Sequence, residues 1–150
     1  MRARHGIFLL VIVAALAGIL VGCDLLGFVS PSARVSEFES ALNSATRAAA
    51  YQNFHPDKTS DYSALKDPAT TLDPIFPRLG TGDAVYNLTV TDDASPSSGV
   101  FVTVTGGPAG FGAPKYLKLV METVGTGDNR IVSLEMSTTK GSFPGPAQIK

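Results

Sequence analysis

The hydrophobic period of this chain changes once, and that change restricts the fold more than any other feature. Val35, Phe38, Leu42, Ala45, Ala49 and Gln52 recur at steps of three and four, the spacing of one helix face. After residue 83 the period becomes two. Tyr86, Leu88 and Val90 alternate with Asn87 and Thr89, and Val100, Val102 and Val104 alternate with Phe101, Thr103 and Thr105. Leu117, Leu119 and Met121 alternate with Lys118, Val120 and Glu122, and Val132, Leu134 and Met136 with Ser133 and Glu135. Such alternation predicts half-buried strands over 84–91, 100–105, 116–124 and 130–136. The connections at 92–99, 106–112 and 125–129 are rich in Gly, Pro, Asp and Ser and too short for a crossover helix. The strands therefore form an antiparallel meander. Its apolar face needs a cover, and the N-terminal helix supplies one, which makes the fold class α+β.

The helix start is open between Pro31-Ser32 and a capping box of Ser36 with Glu39. Its end is expected near Asn53, because Pro56 disfavours helical geometry at His55. Pro56, Pro68, Pro74 and Pro77 then allow only short broken helices, at 60–66 and 70–76. The tail from 138 to 150 contains Gly141, Pro144, Gly145 and Pro146 and reads as irregular or disordered.

Before this domain stands a basic start, Met1-Arg2-Ala3-Arg4-His5, then an apolar run from Ile7 to Val21, then Gly22 and Cys23. That order is a secretory signal, with an apolar core short for a membrane span. Leu20-Val21-Gly22-Cys23 resembles the lipobox of bacterial lipoproteins: an aliphatic residue, a tolerant position, a small residue and a cysteine. The resemblance implies cleavage between Gly22 and Cys23, and a diacylglyceryl thioether on the Cys23 sulfur. The membrane is then a partner through the lipid, and no other cofactor is expected. Asp24 resembles the inner-membrane retention signal of enteric bacteria. The parts are thus a signal peptide (1–22), a lipidated cysteine with a short tether (23–31), one α+β domain (32–137) and the tail (138–150). The tether is unusually apolar. Leu25, Leu26 and Phe28 either enter the membrane interface or dock on the domain.

Helix, short broken helices and a long meander resemble the nuclear transport factor 2-like or cystatin-like architectures. Phe54-His55-Pro56-Asp57 after the first helix is similar to a phrase common in the former superfamily, although a clear strand between the early helices is missing. Catalytic members of that superfamily use His–Asp pairs within a cone of helices and sheet. The resemblance therefore makes His55 with Asp57 or Asp61 the one acid/base candidate.

Composition narrows the chemistry. A formal charge of -1 provides no basic excess for nucleic acid. A single cysteine forbids an internal disulfide and a cysteine-rich zinc site. His55 is the only histidine outside the signal, and Asp57, Asp61, Asp67 and Asp73 are too dispersed for a calcium loop, so no metal site is expected. The glycines of 106–112 lack the Gly-Lys-Ser/Thr and following helix of a phosphate cradle. No Gly-x-Ser-x-Gly phrase is present. Tyr62, Phe76, Tyr86, Phe101 and Tyr116 are candidates to line a pocket between sheet and helices, and Phe111 stands at a loop tip. The sequence therefore reads as a non-catalytic, lipid-anchored envelope protein that binds or scaffolds. Its partner would be another envelope protein or a small apolar ligand. Catalysis by His55 is the third alternative.

Overall fold

The computed structural model describes residues 27–93 and 95–150. The cleavage and lipidation positions, Gly22 and Cys23, with Leu25 and Leu26, lie outside the described residues. No described helix is long and apolar enough to cross a membrane.

Helix α1 spans Pro31–Asn43, followed by a 3₁₀ turn at Ala50–Asn53 and two single-turn helices, α2 (Tyr62–Leu65) and α3 (Pro68–Thr71). Strands β1 (Ala84–Asp92), β2 (Val100–Gly107), β3 (Lys115–Val124) and β4 (Asp128–Ser137) form one antiparallel sheet in sequence order. The α+β expectation is met, and each strand lies within about two residues of its predicted range.

Helix α1 begins where Ser30 Oγ accepts a hydrogen bond from Ala33 N–H and Pro31 takes the first helical position. It stops ten residues before the predicted end near Asn53. Ser44 is extended and Arg47 adopts φ 50°, an unfavourable backbone for a side chain-bearing residue. Arg47 holds that geometry through its buried guanidinium, which donates to Leu42 O (2.9 Å), Asp73 Oδ1 (2.9 Å), Pro77 O (2.9 Å) and Phe76 O. These bonds tie the end of α1 to the segment after α3 and override local helix preference. Ala45 and Ala49, predicted on the buried helix face, are therefore exposed. The second short helix starts earlier than expected, because Asp67 caps Ala69 N–H ahead of Pro68.

The inner sheet face follows the predicted alternation through β1, β2 and β3. Strand β4 departs from it. The register steps from Val120↔Ser133 to Met121↔Ile131, so Val132 is an extra residue in a bulge. The buried positions become Ile131 and Leu134 in place of the predicted Val132, Leu134 and Met136. The core joins Val35, Phe38 and Leu42 of α1 to Phe54, Leu65, Leu72, Phe76 and this inner face.

Both sheet edges are covered. Along β1, Asn43 and Glu39 of α1 bond the backbone of Tyr86 and Leu88. Along β4, Val29, Phe54 and Ile149 each form an isolated bridge, to Asp128, Ile131 and Leu134. The tail is thus less irregular than predicted at its end. Ile149 is fully buried, and Gln148 Oε1 accepts from Met136 N–H at 2.7 Å. Covered edges deny other chains a template for strand pairing.

Candidate functional site

The five aromatic candidates do not meet in one pocket. Phe76 and Tyr86 are fully buried in an aromatic cluster with Phe38, Phe54 and Phe111. Phe38 meets Phe54 and Phe76 edge-on, at centroid distances of 5.6 and 5.9 Å. Tyr86 meets Phe76 and Phe111 edge-on, at 5.4 and 5.1 Å. Phe111, expected at a loop tip, folds back over the core and stacks on Phe76, with the Lys115 ammonium 4.1 Å from its ring centre. Aromatic side chains therefore fill the space between sheet and helices that the pocket reading required. Tyr62 stands apart, edge-on to Tyr51 at 5.9 Å.

Phe101 and Tyr116 lie on the opposite, outer face of the sheet. With Thr91, Asp92, Lys140, Gly141 and Phe143 they line an open groove of about 360 Å³. Phe143 reaches from the tail to a ring distance of 5.9 Å from Phe101. The groove floor is apolar, and Lys140 and Asp92 bring one charge of each sign to its lining. Its volume suits a small ligand or one side chain of a partner. Lys140 and Phe143 were not among the candidates. Nothing in a Gly/Pro-rich tail marks which residues fold back onto a sheet.

His55 is buried just past the 3₁₀ turn, although Pro56 beside it ends helical geometry. Its backbone N–H donates to Ile131 O at 2.8 Å, and its Nδ1 accepts from Asp57 N–H at 3.1 Å. The imidazole thus holds the backbone of Asp57, and among the described residues no ion pair joins it to a carboxylate. A general base held by a carboxylate is the arrangement the His–Asp reading needs, and it is not formed here. Among the described residues no three His, Cys, Asp or Glu side chains cluster to hold a metal ion.

Burial raises the Tyr86 phenol above its ordinary pKa of 10.0, and the Arg47 guanidinium offsets part of this. Its hydroxyl donates to Pro77 O at 2.7 Å. With Arg47 lying 5.9 Å from the ring centre, Tyr86 is a packing residue with a satisfied polar end.

The remaining notable geometry is where the tether enters. Val29 N–H donates to Gly127 O at 3.1 Å, and Val29 O accepts from Asn129 N–H at 3.3 Å and from Asn129 Nδ2 at 2.8 Å. Beneath it, buried Arg34 bonds Asn129 O at 2.8 Å and pairs with Asp128. Phe28 lies against Gly127, where a Cβ would stand 2.5 Å from the ring, and keeps 52% of its surface exposed. Val29 is thus bonded into the domain, while Phe28 rests on Gly127 with half its surface open.

Comparison of the chain with protein-family models, curated proteins and solved structures finds no match.

Proposed function

We propose that this chain is an extracytoplasmic lipoprotein, held at the membrane by a lipid on Cys23, whose domain binds or scaffolds without catalysis. The observation that carries the reading is Leu20-Val21-Gly22-Cys23 at the end of an apolar run, six residues before Val29 is tied into the fold. A thiol is the nucleophile that can take the lipid, and small residues beside it admit the peptidase. Two acyl chains, each buried methylene contributing about 0.8 kcal/mol, make a stable anchor. Removing Arg2 and Arg4 with the signal leaves 10 basic against 13 acidic side chains, a mildly acidic domain. Asp24 favours retention at an inner membrane if the cell has two. A Cys23→Ala variant is expected to lose incorporation of radiolabelled palmitate and to accumulate with its signal uncleaved. Normal processing of that variant refutes the anchor.

The groove of Phe101, Tyr116 and Phe143 supports a second reading, in which the domain carries a small apolar ligand on its outer sheet face. The probe 1-anilinonaphthalene-8-sulfonate pairs an aromatic body with a negative charge suited to Lys140. Saturable fluorescence enhancement that Phe101→Ala and Phe143→Ala each abolish is the expected result. Enhancement that does not saturate, or that survives both changes, refutes it.

A further inference from the structure

We infer that the domain stands on the bilayer with one defined end down: the end formed by the β3–β4 turn, the β1–β2 turn and Phe28. The inference rests on the lipid anchor proposed for Cys23 and adds the surface through which the folded domain meets the lipid.

Three residues, Asp24, Leu25 and Leu26, lie between Cys23 and Gly27, and the four steps of chain reach at most about 14 Å. Their downstream end does not swing freely. Val29 is bonded on both its N–H and C=O to Gly127 and Asn129, and Arg34 bonds Asn129 O from the next turn of chain. The exit point is therefore fixed at the β3–β4 turn. A domain of this length measures about 35 Å across, more than twice the reach of the tether. The opposite end, the β2–β3 connection around Ala109, is separated from that turn by the ten residues of β3, about 33 Å of strand. An inverted stance, with that end down, would lift the β3–β4 turn about 33 Å from the lipid, beyond the reach of the tether.

The end that remains has the character of an interfacial surface. Phe28 is one of the two large hydrophobic side chains left exposed among the described residues, and it lies at the anchor's exit. The β1–β2 turn joins the same end, where Met121 N–H donates to Pro96 O at 2.9 Å and Ser32 Oγ donates to Asp93 at 2.7 Å. Of the charged groups here, Asp128 pairs with Arg34 and Arg130, and Lys58 with Glu122. Among the described residues no basic cluster is offered to anionic headgroups at this end, so contact depends on acyl chains and Phe28 and holds on uncharged lipid. In this stance the Phe101–Phe143 groove lies on the outer sheet face, with Asp92 and Phe101 of its lining beside the β1–β2 turn.

The test uses the full mature lipoprotein in phosphatidylcholine vesicles carrying a headgroup nitroxide quencher. A fluorophore is attached at Thr126→Cys or, as a second probe of the same end, Ser97→Cys, and at Ala109→Cys for the far end. Quenching at Thr126 and Ser97 is expected to exceed that at Ala109 at least three-fold, unchanged by added salt. Equal quenching at both ends, or the reverse order, overturns the orientation. Intact mass of the same samples separates the two readings. A lipid mass on Cys23 with equal quenching refutes the orientation alone, whereas an unmodified Cys23 refutes the anchor and the orientation with it.

Discussion

Asn43 holds both backbone groups of Tyr86. Its Oδ1 accepts from Tyr86 N–H at 2.9 Å, and its Nδ2 donates to Tyr86 O at 2.8 Å. The site is a bulge, since β1 advances from Ala84 to Asn87 while β2 moves only from Gly107 to Thr105. The last residue of α1 thus stands in for a missing strand on the sheet's edge, and Glu39 repeats the device one turn earlier at Leu88 N–H (2.6 Å). Asn43→Ala leaves a donor and an acceptor unmet, and urea denaturation is expected to show a loss of about 1–3 kcal/mol. Asn43→Asp keeps the acceptor but sets a carboxylate oxygen against the Tyr86 carbonyl. It should regain stability in acid, when protonation restores a donor. Wild-type stability in Asn43→Ala would show that the edge is held by packing alone.

The Tyr86 phenol gives a pH signature of known sign. Burial raises its pKa above 10.0 in the fold, while the unfolded chain ionises near its ordinary value. Above about pH 10 the unfolded state has lost a proton that the folded state retains, so this residue's contribution falls as pH rises through the raised value. Tyr86→Phe cannot ionise. It loses the bond to Pro77 O, worth about 1 kcal/mol at neutral pH. The stability gap between wild type and variant should therefore narrow at about pH 11, above the free phenol value of about 10. A gap independent of pH would show that Tyr86 ionises as readily folded as unfolded.

Gly106 is required by the same bulge. Its φ is +76°, and a Cβ there would stand 1.9 Å from Val85 O. Gly106→Ala combines left-handed strain with a backbone collision, a loss of about 2–4 kcal/mol. Gly110 has φ +88° with nothing within 4 Å of the added carbon, so Gly110→Ala reports the strain alone, about 1–2 kcal/mol. Equal losses in the two variants would mean that β1 yields to the intruding methyl. The glycines that invite comparison with a phosphate cradle thus have a structural use at Gly106.

The strands were legible because each is specified locally: alternation marks their faces and Gly/Pro clusters mark their ends. What could not be read depends on partners distant in sequence. Arg47 looks like one more polar residue on a helix face, yet its bonds to Asp73, Phe76 and Pro77 end the helix. The bulge at Val132 exists only against the register of Val120 and Met121. The pocket expectation failed for a reason the alternation already contained. Phe101 and Tyr116 are out of phase with Val102 and Leu117, so they could not share a cavity with Tyr86. The groove they do line depends on Phe143, placed by a tail that lacks any period.

The tether offers the most direct link between fold and anchor. A soluble fragment beginning at Ser30 lacks Val29 and with it the bonds to Gly127 O, Asn129 N–H and Asn129 Nδ2, together with the packing of Phe28 on Gly127. A fragment beginning at Asp24 retains them. Several hydrogen bonds at the sheet's edge, net of solvent exchange, predict that the shorter fragment is less stable by about 1–3 kcal/mol. In the shorter fragment the amide of Asn129 should also exchange hydrogen faster, because it has lost Val29 O as its acceptor. Equal stability of the two fragments would make the docking of Phe28 and Val29 energetically empty. The domain would then be free to tilt on its anchor, and its lower end would no longer be fixed.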